Sequence, residues 1–179
     1  MTRLALLRHA DTAWSVEGRI QGRRDIPLLE SAALPFPEQC RGMRVVTSPL
    51  LRCVQTAALL GAANAPREPR IVEMHWGEWE GERLDELRER LGDAMARNEA
   101  RGLDFMPPGG ESPRMVLERV RQWLLEVTTP TLAITHRGVI RVVLAAATGW
   151  DMRGKPPVKL DWRAAQFFEL DESGRPRLA

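Results

Sequence analysis

Short apolar runs at residues 3–7, 43–47, 71–72, 131–135 and 164–170 alternate with longer segments whose apolar positions recur every three or four residues. The short runs have the length and composition of buried strands, and the longer ones have the period of amphipathic helices. Ser48-Pro49 opens one helix, which runs to about Leu60. Proline fits the first helical position because its missing N–H is not needed there, and Gly61 is a natural stop. Leu84, Leu87, Leu91 and Met95 predict a second helix. Pro107-Pro108-Gly109-Gly110 then breaks the chain, and Ser112 caps a third helix marked by Val116, Val120, Trp123, Leu124 and Val127. Residues 139–147 are nearly all apolar and predict a buried helix, while a polar tail is expected after residue 170.

Strands that alternate with helices argue for an α/β sandwich around a largely parallel sheet. No internal repeat, low-complexity tract or composition break divides residues 1–179, so a single domain with one core is expected.

Composition adds exclusions. Hydrophobic residues make up 44% and charged residues 28% of the chain, a globular balance. The first apolar run is too short for a signal peptide, and the most apolar stretch, residues 139–148, contains Arg141 and is too short to span a bilayer. A cytoplasmic protein without membrane association is expected. Cys40 and Cys53 form no CxxC pair, so reduced structural thiols are expected, and no cluster of metal ligands is visible. The net charge of +2 mildly favours anionic partners. The arginines are interspersed with acids along the chain, which argues against nucleic-acid binding.

Two of the three histidines, His9 and His136, directly follow predicted strands, and each has an arginine beside it, Arg8 and Arg137. Ligand sites in open α/β sheets collect beyond the carboxyl ends of strands. The planar fork of arginine matches phosphate oxygens, so this pairing points to a phosphoryl site.

The wider pattern of motifs resembles the histidine phosphatase superfamily, the group that contains cofactor-dependent phosphoglycerate mutases. The resemblance rests on Leu7-Arg8-His9-Ala10-Asp11-Thr12, on Gly18-Arg19-Ile20-Gln21-Gly22 followed by Asp25-Ile26-Pro27-Leu28, and on Ser48-Pro49-Leu50-Leu51-Arg52 with Gln55-Thr56-Ala57. It continues through Glu73-Met74-His75-Trp76-Gly77-Glu78-Trp79-Glu80-Gly81, Pro108-Gly109-Gly110-Glu111-Ser112 and Thr135-His136-Arg137-Gly138. It implies a three-layer α/β/α sandwich with a mostly parallel central sheet, of phosphoglycerate mutase type. It also implies a phosphohistidine intermediate on His9, with Arg8, Arg52 and His136 on the phosphate oxygens and Glu73 as proton donor. No cofactor or metal is implied, and the partner is a small phosphorylated metabolite. Gln21, Gly22 and His75 are further candidates for substrate contact, His75 more for positioning than for catalysis. Trp76 and Trp79 fit a pocket wall and core packing equally, and Glu111 and Ser112 are explained by a helix cap.

Three departures qualify the resemblance. Ser15 stands where relatives place an asparagine on the phosphate, and it can supply one hydrogen bond there. Pro35 and Pro37 interrupt the span between Leu28 and Arg41, so the helix relatives carry there is expected to be lost. The bare flank could then be covered by a second copy in a homodimer. Residues 82–107 are too few for the long insertion of the mutases, which favours hydrolysis over phosphoryl return. Among phosphatases the acid motif and the Gly-Glu-Ser turn look most like α-ribazole phosphatases, and the same features occur in broad-specificity members. The alternatives are a phosphoglycerate mutase-type phosphotransferase and a non-catalytic phosphate-sensing or partner-binding relative.

Overall fold

Alternating burial organises the sheet. In β1 (Thr2–Arg8), Leu4 and Leu6 pack into the main core on one face, while Ala5 and Leu7 pack on the other. All four are fully or almost fully buried, as are all five residues of β3 (Thr131–Thr135), which explains their unbroken apolar runs. The computed structural model describes residues 1–179. Its five strands are ordered β2–β3–β1–β4–β5, with β2 spanning Arg44–Thr47, β4 Gln166–Leu170 and β5 Pro176–Leu178. Strand β3 pairs in parallel with both β1 and β2, whereas β4 runs antiparallel to β1 and to β5. Four strands therefore share one direction, and β4 runs against them.

Helices cover both faces. On the main-core face, α5 (Pro113–Leu124) packs against α6 (Arg137–Thr148). Val116, Val120 and Leu124 of α5 meet Val139, Val142 and Val143 of α6 in the same core as Leu4, Leu6 and Ala133. Each such fully buried aliphatic side chain contributes about 1.5–3 kcal/mol. On the opposite face, α2 (Leu51–Leu59) sets Cys53 and Ala57 against Ile134. Between Leu28 and Arg41 there is only a 3-10 turn, Glu38–Cys40, with no α-helix, as the prolines predict. Leu34, Phe36 and the buried Cys40 pack there over Ala5, Leu7 and Leu132. Both cysteines are free and buried.

Three local expectations are corrected and one helix is added. Residues 71–72 form no strand: Pro69–Ile71 is a 3-10 turn, in which Pro69 suits the first position and the Glu68 side chain accepts from Arg70 N. A two-residue apolar run reports burial and not conformation. The helix expected through Leu84 and Met95 is two helices, α3 (Leu84–Leu91) and α4 (Asp93–Glu99), because Gly92 adopts φ 49° and ψ −123°, which no helix contains. The polar tail contains β5, which pairs with β4 around a turn held by Asp171, whose carboxylate accepts from Ser173 and Arg175. A short helix α1 (Ala13–Glu17), also unanticipated, is capped by Thr12 and Ser15. No helix is long and apolar enough to cross a membrane.

Candidate active site

Strands β1 and β3 are neighbours and end together, because Arg8 pairs with Thr135. His9 and His136 therefore emerge side by side, with ring centroids 5.5 Å apart. His9 extends the ladder through its N–H, which donates to Thr135 O at 3.1 Å. Its ring Nδ1 lies 2.7 Å from Ala10 O, an acceptor, so Nδ1 carries the proton and Nε2 keeps its lone pair. Burial first, then the charges of Arg52 and Arg8, hold the His9 imidazole well below its usual pKa. His136 is fully buried and is lowered in the same direction by burial, then by Arg52 and His9. Its Nε2 lies 2.7 Å from Ser48 Oγ.

Arg52 comes from the first turn of α2 and is fully buried. Its two terminal nitrogens donate to Arg24 O and Gly22 O, both at 2.8 Å, while its Nε has no partner. The loop it holds is also tied to α2 by Asp25, whose carboxylate accepts from Leu51 N at 2.7 Å. Gln55 and Thr56 explain the rest of their motif. Gln55 accepts from Leu28 N, and the Thr56 hydroxyl accepts from Ala10 N beside His9. Arg8 Nε is likewise buried and unpartnered.

Glu73 is buried, with Oε1 accepting from Met74 N at 2.8 Å and Oε2 from Gly138 N at 3.3 Å. Its backbone carbonyl accepts from Arg23 and Arg119. Both arginines also reach Glu111, which in turn accepts from His75 N at 2.9 Å. Glu111 is thus a clamp on the acid loop, and the helix cap belongs to Ser112, whose Oγ accepts from Met115 N. This clamping role was missed in the sequence because a cap explained the same residues.

His9, Arg8 and Glu73 open onto a cavity of ≈ 570 Å³, whose lining does not include the fully buried Arg52 and His136. Gln21 and Gly22 line it, and Gln21 is held by the Thr12 hydroxyl at 2.7 Å. Ser15 also lines it, but its hydroxyl donates to Thr12 O and accepts from Thr12 N. That capping box uses the proton a phosphate oxygen would need. His75 is outside the lining, and its Nδ1 accepts from Gly77 N at 2.8 Å, closing the turn of the acid motif. Trp76 forms part of the wall, whereas Trp79 is buried in the core. Leu84, Arg88, Glu99 and Phe105 make the outer wall, so the broken α3–α4 segment flanks the cavity. Arg137 and Arg141 complete it from α6. No group of three or more His, Cys, Asp or Glu side chains is arranged to hold a metal.

An imidazole fixed through Nδ1, with the charges of Arg52 and Arg8 acting on it and the Glu73 carboxylate on the same cavity, is suited to phosphoryl transfer. The family model that matches the chain is the histidine phosphatase superfamily (branch 1), over residues 4–175. A 2,3-bisphosphoglycerate-dependent phosphoglycerate mutase of Methylobacterium radiotolerans is 32% identical over 164 residues, covering 84% of this chain and 75% of its own length. Phosphoserine phosphatase 1 of Hydrogenobacter thermophilus is 31% identical over 168 residues, covering 85% and 79%. A mycobacterial glucosyl-3-phosphoglycerate phosphatase superposes with a TM-score of 0.83 across 100% of this chain and 97% of its own. At 23% identity that last likeness is one of fold.

Proposed function

The chain belongs to the histidine phosphatase superfamily, and on that premise we propose that it is a metal-independent phosphomonoesterase acting on a small phosphorylated metabolite through a phosphohistidine at His9. The observation that carries this reading is the His9 ring, with Nδ1 on the Ala10 carbonyl and the neutral form favoured by burial and by Arg52 and Arg8. In the first step His9 Nε2 bonds to phosphorus and the ester P–O bond breaks, while Glu73 gives a proton to the departing oxygen. Arg8, Arg52 and His136 hold the phosphoryl oxygens. In the second step water attacks phosphorus, its proton goes to Glu73, the P–N bond breaks and inorganic phosphate leaves. Gln21 and Gly22 border the leaving group. Ser15 uses its hydroxyl to cap α1 and supplies no hydrogen bond to the phosphate.

Hydrolysis is favoured over phosphoryl return because residues 82–107 supply a side wall and no long insertion. From the sequence pattern, α-ribazole 5′-phosphate is one candidate substrate. Rapid acid-free quenching during turnover of p-nitrophenyl phosphate should leave an acid-labile, base-stable phosphate on His9. His9→Ala should lose both the label and turnover. Substantial turnover by that variant would overturn the proposal.

A further inference from the structure

The cavity holds more positive charge than one phosphate group needs. Of the arginines along its wall, Arg19 is paired with Glu17 and Arg88 with Glu99, each at 2.7 Å. Arg8, Arg137 and Arg141 remain, and no carboxylate pairs with any of them. Arg141 Nε is buried without a hydrogen-bond partner. The Glu73 charge acts on Arg8, Arg137 and Arg141, but its carboxylate is hydrogen-bonded by two backbone N–H groups and not by an arginine. If Arg8 and the buried Arg52 take the transferred phosphoryl group, Arg137 and Arg141 are left over.

These two residues sit four apart on α6, so they share a face, and like charges at that spacing destabilise a helix. Both are nevertheless braced. The Arg137 guanidinium lies 4.6 Å from the Trp162 ring centroid and that of Arg141 lies 5.2 Å from Trp150. Trp150 is fixed in turn by its Nε1, which donates to Arg153 O at 2.9 Å. Stacking uses the face of a guanidinium and leaves its N–H edge free for an anion. The wall therefore presents two stacked guanidinium groups, neither of which hydrogen-bonds to a protein carboxylate.

We propose that Arg137 and Arg141 form a second anion subsite, so that the substrate is a phosphate monoester carrying a further carboxylate or phosphate. This rests on the phosphomonoesterase reading and adds a substrate class to it. The subsite extends along α6 by one helical turn, about 5–6 Å, from the His136 end. A linker of about two to four atoms between the two anionic groups spans that distance. By this criterion α-ribazole 5′-phosphate, which has one anionic group, is a poor substrate.

The test compares kcat/KM for esters with a second anion and for matched esters without one, on the same enzyme preparation. Phosphoserine and 3-phosphoglycerate represent the carboxylate, 2,3-bisphosphoglycerate adds the phosphate, and glycerol 1-phosphate and α-ribazole 5′-phosphate have neither. The ratio within one preparation is independent of how much protein is active, so partial misfolding of a variant does not alter it. The wild type should prefer the doubly anionic esters at least tenfold. Arg141→Gln should lower that preference about 10- to 100-fold, the worth of a charge-assisted hydrogen-bond pair. Arg137→Gln, nearer the surface, should lower it less, and Arg141→Lys should fall between wild type and Arg141→Gln. A wild type without preference, or variants with an unchanged ratio, would overturn the subsite while His9 is still labelled by p-nitrophenyl phosphate. Absence of that label and of turnover would instead overturn the phosphomonoesterase reading, and the subsite with it.

Discussion

A Cβ placed on Gly138 would lie 2.2 Å from Glu73 Oε1, so the first turn of α6 and the acid loop touch at a point where no side chain fits. The same glycine donates its N–H to Glu73 Oε2. Gly138 thus sets how close the carboxylate comes to the helix that also bears Arg137 and Arg141.

Gly138→Ala should therefore push the Glu73 carboxylate away from α6 and out of its present position. Alanine is the better helix former by about 0.5–1 kcal/mol, so thermal stability should hold or fall only slightly. Turnover of an alkyl phosphate should drop on the order of 10²-fold, the low end of what general acid catalysis supplies. Unchanged kinetics with an unchanged melting temperature would show that Glu73 position does not limit the reaction.

The contact between Glu73 and Gly138 also shows what the sequence can and cannot convey. Both residues were legible as members of separate motifs, but their distance depends on how the loop after Val72 docks on α6, which no local pattern encodes. Leu4 to Leu7 and Leu132 to Ile134 were legible as strands because burial on both faces leaves an unbroken apolar run. Strand β5 was not, since an edge strand carrying Arg177 is held by its pairing to β4 and not by its own residues. The break at Gly92 was hidden because the apolar period of Leu84, Leu87, Leu91 and Met95 continues across it. Arg141 was legible only as an interruption of an apolar run, because its stacking on Trp150 depends on the tertiary fold.

The two site histidines should make stability depend on pH. Burial first, and then nearby positive charge, lowers the pKa of His9 and of His136 in the folded state below the unfolded value near 6.5. Below that value the unfolded chain binds protons that the folded chain refuses, so the slope of unfolding free energy with pH is positive there. Stability is fully present above about pH 6.5 and is lost as pH falls toward the lowered pKa values. The slope should approach about 1.4 kcal/mol per pH unit for each histidine. Urea midpoints measured from pH 5 to 7.5 should show this loss, and His136→Gln should flatten it. A variant with the wild-type slope would remove His136 from the account. The same lowering should keep His9 nucleophilic in mild acid, placing the acidic limb of kcat/KM for p-nitrophenyl phosphate below pH 6.5.

Arginines supply the positive charge around His9, so catalysis should not need a metal. Incubation with EDTA followed by assay in metal-free buffer should retain essentially full activity. Loss of activity restored by Mg²⁺ or Zn²⁺ would show that an ion and not Arg8 and Arg52 neutralises the transferring phosphoryl group.

Glu73 can act as a proton donor or only as a charged wall, and the leaving group separates the two. An alkoxide leaving group needs a proton as the P–O bond breaks, whereas p-nitrophenolate is stable without one. Glu73→Gln keeps the shape and can still accept from Met74 N, yet it has no acidic proton to give. Single-turnover phosphorylation of His9 isolates the first step from the second, in which the proposed mechanism has Glu73 take a proton from water. In that assay an alkyl ester should slow by about two to four orders of magnitude, the usual worth of general acid catalysis. The phosphorylation rate with p-nitrophenyl phosphate should fall much less. Equal losses would mean that Glu73 contributes only charge and position, and the proton would then have to come from another group on the cavity. His136 is the next to test, because it adjoins His9 with ring centroids 5.5 Å apart and already has a proton-sharing partner in Ser48, 2.7 Å away.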